Sequence, residues 1–102
     1  KEGETILSKI GESDYVIAME VEGKMLDSVE LSRHLTKTFD SGRSTVDFII
    51  GGSLGLSPAV KKRADFGLSF SRMTFPHQMA RVLLLEQIYR SFKIANNETY
   101  HK

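Results

Sequence analysis

The stretch FIIGGSLGLS, Phe48–Ser57, holds three glycines within five residues. Bare Cα atoms there let something approach the backbone closely: a phosphate, another ligand or another piece of chain. The pattern is G-G-x-x-G, from Gly51, Gly52 and Gly55. It is neither G-x-G-x-x-G nor G-x-x-x-x-G-K-[ST], since Leu56 stands where the lysine would be, so a phosphate cradle is poorly supported. By itself the loop reads as a tight strand-to-helix turn more readily than as a ligand site.

Other residues that do chemistry are sparse. His34, His77 and His101 form no pair at i+3 or i+4, and there is no cysteine, so a metal site is not expected. His34 falls on the polar side of its helix and is expected in solvent. His77 lies in the first turn of the last helix, where capping or packing suits it as well as chemistry. His101 is in the tail. Ser53, Ser57, Ser69 and Ser71 lack the G-x-S-x-G elbow of serine hydrolases. The carboxylates show no spacing that would make an acid–base pair.

Periodicity says which elements must position these groups. KEGETILSKIGES reads as the last turns of a helix stopped by Gly11. DYVIAMEV, Asp14–Val21, is a buried strand between turn formers. In DSVELSRHLTKTFDSG, Asp27 and Glu30 form a capping box, and Leu31, Leu35 and Phe39 make an apolar stripe that ends near Gly42. TVDFII, Thr45–Ile50, is a second buried strand leading into the glycine loop. Pro58 opens a short helix, FGLSFS (Phe66–Ser71) is a third strand, and Pro76 opens the longest helix, with Phe75 as its N-cap. The stripe of that helix, Met79, Val82, Leu83, Leu85, Ile88, Phe92 and Ala95, is a core or dimer face. The alternation predicts an α/β fold with a largely parallel sheet and helices on both faces. Ligands in such folds sit at the carboxyl ends of strands, here MEVEGK, GGSLGLS and SRMTFPH.

The 102 residues suffice for one small domain, and 40% hydrophobic with 26% charged residues is globular composition. No apolar run approaches the roughly 20 residues of a membrane span, and no secretory signal is visible, so a cytoplasmic protein is the plain expectation. Net charge is +1, unevenly spread: residues 1–51 carry 6 Lys/Arg against 10 Asp/Glu, and residues 52–102 carry 8 against 3. The second half could offer a basic face to an acidic partner, or only solvated helix faces.

FIIGGSLGLS, then LSFSRMTFPHQMARVLLLEQIYRSFKI, then the terminal YHK together resemble the ribosomal RNA large subunit methyltransferase H family. These are SPOUT-class knotted methyltransferases. The resemblance covers essentially the whole chain, with three motifs in order. It implies a single SPOUT domain over residues 1–102 with a C-terminal trefoil knot, lacking the N-terminal strand and helices of the family. It implies S-adenosylmethionine as cofactor and a homodimer in which the partner's tail approaches the cofactor. The implied substrate is 23S rRNA within the ribosome, methylated at N3 of a pseudouridine, with no membrane and no metal. Carried over by position, the cofactor contacts are Met19, Gly51, Gly52 and the run Phe70, Ser71, Arg72, Met73, Thr74 and Phe75. Tyr100, His101 and Lys102 are the expected catalytic neighbourhood, and Arg72, His77 and Arg81 the expected RNA contacts, with Lys61, Lys62, Arg63 and Arg90 as further cations for phosphates. Two other readings stand beside this one: a non-catalytic α/β dimer that binds RNA or a nucleotide, and a knotted methyltransferase acting on tRNA.

Overall fold

The computed structural model describes the backbone of residues 2–51 and 55–100, and the side chains of that set from residue 4 onward. The element order is α1 (Glu2–Ser8), β1 (Tyr15–Met25), α2 (Ser28–Asp40), β2 (Val46–Ile50), α3 (Pro58–Arg63), β3 (Phe66–Ser69) and α4 (His77–Ala95). The three strands form one parallel sheet in the order β2-β1-β3. Tyr15 pairs with Val46 and Met19 with Ile50 on one side, while Ile17 pairs with Phe66 on the other. β1 is central, and Val16, Ile17 and Ala18 are fully buried. A strand covered on both faces needs apolar residues at successive positions, which is why this run does not alternate.

The pleat sends successive side chains into two cores. Ile17 packs with Leu31, Leu35 and Leu68 beneath α2. Val16 packs with Ile49 and Val60 on the opposite face, where Ile6, Leu7 and Ile10 join from α1 and its C-terminal turn. The capping box of α2 is present: Asp27 Oδ1 accepts from the Glu30 amide at 2.7 Å, and Glu30 Oε1 accepts from the Asp27 amide at 2.7 Å. α4 lies on α2, with Ser32 Oγ donating to the Ser91 carbonyl at 2.7 Å.

The predicted elements all appear, with four differences. β1 runs on to Met25, past an irregularity at which Met19 and Lys24 both pair with Leu68. β3 stops at Ser69, because the Ser69 hydroxyl donates to the Ser71 carbonyl and accepts from the Ser71 amide, replacing the sheet ladder by a local turn. Pro76, not Phe75, caps α4, with an extended ψ of 145°. His34 is not a solvated residue. It is half-buried on the Phe66 ring, 4.3 Å between centroids, and shares a 2.9 Å hydrogen bond with the Tyr15 hydroxyl. Burial first, then Lys24 and Lys37, holds its pKa below the usual histidine value.

Candidate functional site

The carboxyl ends of β2 and β3, and the part of β1 where its pairing with β2 stops at Met19, border one cavity of about 480 Å³. Met19, Glu20, Val21 and Glu22 enter it from β1, Ile50 from the end of β2, and Leu68 and Ser69 from β3. Gly51, Gly55 and Leu56 flank it on one side, and Phe70, Ser71, Met73, Thr74 and Phe75 on another. Ala80 of α4 and Lys61 of α3 complete the wall. The parallel topology explains the convergence, since every strand points its carboxyl end the same way.

Gly51 and Gly55 owe their places in the loop to the backbone. A Cβ on Gly51 would lie 2.9 Å from the Gly55 carbonyl carbon and 3.1 Å from the Leu56 nitrogen. Gly55 takes φ +79°, a backbone conformation that suits glycine. So the chain returns against itself at this point, and the bare backbone of both segments is what remains to face the cavity.

Of the expected cofactor contacts, Met19, Gly51, Phe70, Ser71, Met73, Thr74 and Phe75 line the cavity. Gly52 lies outside the described residues. Arg72 is not among the lining residues. Its guanidinium donates to the Val21 carbonyl and, at 3.1 Å, to the Gly23 carbonyl. That contact ties the β3–α4 connection to the outside of the β1 irregularity. Of the ligand-bearing segment MEVEGK the sequence singled out Met19 alone and not Glu20 or Glu22, which lie within it; it gave no role to Ala80 and assigned Lys61 to RNA. An acidic residue at the end of an apolar strand was the available signal for Glu20.

His77 and Arg81 are exposed on the first turns of α4, on either side of the cavity-lining Ala80. Tyr100 lies against its own α4. Its hydroxyl donates to Glu86 Oε2 at 2.9 Å, its ring meets Tyr89 edge-on at 5.1 Å, and the Arg90 guanidinium stands 4.9 Å from its centroid. The Glu86 hydrogen bond, with burial second, pushes the phenol above its usual pKa. His101 and Lys102 lie outside the described residues. α4 buries Leu84 but leaves Met79, Val82, Leu85, Tyr89 and Phe92 exposed, Val82 by 65% and Leu85 by 60%. The apolar stripe is therefore not core.

Among the described residues, no group of three or more His, Cys, Asp or Glu side chains is placed to hold a metal ion, and no helix is long and apolar enough to cross a membrane. The profile of the family described as "Predicted SPOUT methyltransferase" matches residues 1–101. The chain belongs to the SPOUT methyltransferase family. Curated SPOUT relatives with the name Ribosomal RNA large subunit methyltransferase H align over all 102 residues. The Clostridium acetobutylicum protein is 55% identical, and those of Clostridioides difficile and Bacillus pumilus are each 58% identical. The alignments cover 100% of this chain and 64% of each relative, so the chain spans about two-thirds of their length. The family expected from the three motifs is the one found, and this SPOUT chain has the three-stranded parallel sheet and flanking helices of an α/β protein.

Proposed function

We propose that the protein transfers a methyl group from S-adenosylmethionine to N3 of a pseudouridine in 23S rRNA, as a homodimer with a knotted C-terminal part. One observation carries the reading: seven of the nine residues assigned to the cofactor, drawn from three separate segments, line a single cavity. The relatives' printed name supports large-subunit rRNA as the substrate class.

The cavity suits the cofactor. Its volume of about 480 Å³ falls within the roughly 300–1,000 Å³ of small-molecule sites. Adenine is flat and neutral, so it needs apolar walls and backbone donors and acceptors. Ile50, Leu56, Leu68, Phe70, Met73 and Phe75 supply the walls, and the bare backbone at Gly51 and Gly55 supplies the polar edge. When bound, the cofactor supplies a methyl group already activated on a sulfonium. The chain's own duty is then to align the acceptor and to keep water out.

The acceptor nitrogen belongs to an imide and must give up its proton, so a positioned base or cation helps. His101 and Lys102 of a partner's tail are assigned to that neighbourhood. Tyr100 does not act as the base: with its phenol pushed up by Glu86, it stays protonated near neutral pH and works as a hydrogen-bond donor that anchors the tail. The exposed apolar stripe of α4 is the surface assigned to the second copy. His77, Arg81 and Lys62 are exposed and are assigned to RNA phosphates. Arg63 and Arg90 serve the fold instead, through Asp65 and Glu86. Recognition therefore depends on ribosome shape as well as on charge.

Mass spectrometry of 23S rRNA from cells lacking the gene tests the proposal. The methylated pseudouridine should disappear and return on complementation. A nucleoside unchanged by the deletion would overturn it.

A further inference from the structure

One ionised side chain in the cavity has little to balance it. Glu20 follows Met19 in β1, and the pleat turns it to the face that carries α3. Its carboxylate is seated against Gly67, where a Cβ would lie 2.6 Å from Oε2. Its ion-pair partner is Lys61 of α3, with Nζ 3.9 Å from Oε1. Among the described residues, no hydrogen-bond donor reaches either oxygen. The Glu20 side chain keeps 25% of its exposure, and Lys61 keeps 52%. A carboxylate drawn this far from water is unfavourable unless donors or a cation replace its hydration. Lys61, half in solvent and at the limit of ion-pair distance, replaces little of it. Glu22 adds a second acid to the rim, so two carboxylates face one ammonium along the lining.

We infer that Glu20 determines specificity in the cofactor site, favouring a ligand with positive charge at its reacting centre over the neutral spent form. The inference rests on the reading that the cavity takes S-adenosylmethionine. That donor is a sulfonium. Its demethylated product is a thioether with the same adenosine and the same amino-acid end. The methyl group and the charge at sulfur are all that separates them. β1 is the middle strand and Glu20 directly follows Met19, the last residue it pairs with β2, so a ligand reaching from the end of β2 to the end of β3 would have its middle beside Glu20. Sulfur is the middle of this ligand, between the nucleoside and the amino acid. A carboxylate there attracts the donor and gains nothing from the product, which lets fresh donor displace spent cofactor. Gly67 has a role in the same device, because a side chain at that position would push the carboxylate from its seat.

Calorimetry on the purified protein and two variants tests this. Three ligands are titrated: S-adenosylmethionine, S-adenosylhomocysteine, and sinefungin, which carries a protonated amine in place of the sulfonium. Glu20→Gln should weaken the two cationic ligands by about fivefold and move the homocysteine product by less than about twofold, the scale of one partly exposed ion pair. Lys61→Met should act in the opposite sense, tightening the two cations relative to the neutral product. Thermal denaturation of each variant reports its folding separately. If Glu20→Gln weakens all three ligands equally, or none, the inference is overturned while the cofactor reading stands. If none of the three binds the wild-type protein, both are overturned.

Discussion

Replacing Gly51 with alanine tests the cavity at its tightest point. The new Cβ would lie 2.9 Å from the Gly55 carbonyl carbon, 3.1 Å from the Leu56 nitrogen and 3.2 Å from the Gly55 Cα. Carbon contacts are comfortable at about 3.5–4.0 Å, so the two segments must separate by roughly half an ångström. All three neighbours are backbone, and no rotamer change relieves the clash. Overfilling a fitted site costs about 1–3 kcal/mol, and each kcal/mol is worth about 4–8 °C in Tm for a chain near this size. A fall of at least about 4 °C is expected. Gly51, Gly55 and Leu56 also line the cavity, so the same displacement spoils the backbone edge offered to adenine. Affinity for S-adenosylhomocysteine should drop about tenfold or more, the equivalent of about 1.4 kcal/mol. Differential scanning calorimetry reads the first effect and titration calorimetry the second. A variant with unchanged Tm and unchanged affinity would refute the claim that returning chain dictates glycine here.

Asp47 yields a second prediction. Burial, then the hydrogen bond and like charge of Asp14, holds its carboxyl above the usual aspartate range, and its Oδ2 is a buried atom with no partner among the described residues. A raised folded-state pKa gives stability that is complete below the unfolded pKa and is lost as pH rises through the folded one. Asp47→Asn should remove that loss and gain about 1 kcal/mol at neutral pH; urea midpoints from acid to neutral pH that fall equally in both proteins would contradict this. Glu86→Gln should bring the Tyr100 phenol back down toward its ordinary pKa, read by ultraviolet titration against Tyr100→Phe, and an unmoved titration would break the Tyr100–Glu86 link. Val82→Asp, on the exposed stripe of α4, should shift sedimentation from dimer to monomer while changing monomer stability by no more than about 0.5 kcal/mol; a dimer that persists would take α4 out of the interface.

The sequence by itself determined the order of elements. Local causes sufficed for that: the Asp27–Glu30 capping box, the uninterrupted apolar run at Val16–Ala18, and proline at the helix starts act over a few residues and are legible in any window that contains them. It also located the site coarsely, because parallel strands oblige their carboxyl ends to converge, and the motif order pointed to the family. Tertiary structure decided the rest. The periodicity of α4 shows a stripe but not what covers it, and the structure leaves Val82 and Leu85 in the open while it buries Leu84 and Ser91, the latter against Ser32 of α2. His34 looked solvated in its helix; the β3 residue that buries it, Phe66, is remote in sequence. Arg72 belongs to a run of cavity residues but turns away to the carbonyls of Val21 and Gly23. The glycines of FIIGGSLGLS announced a close approach without naming what approaches. Only the folded chain answers that, because the distance between Gly51 and Leu56 is set by how the strand ends are packed, and packing is a property of the whole sheet.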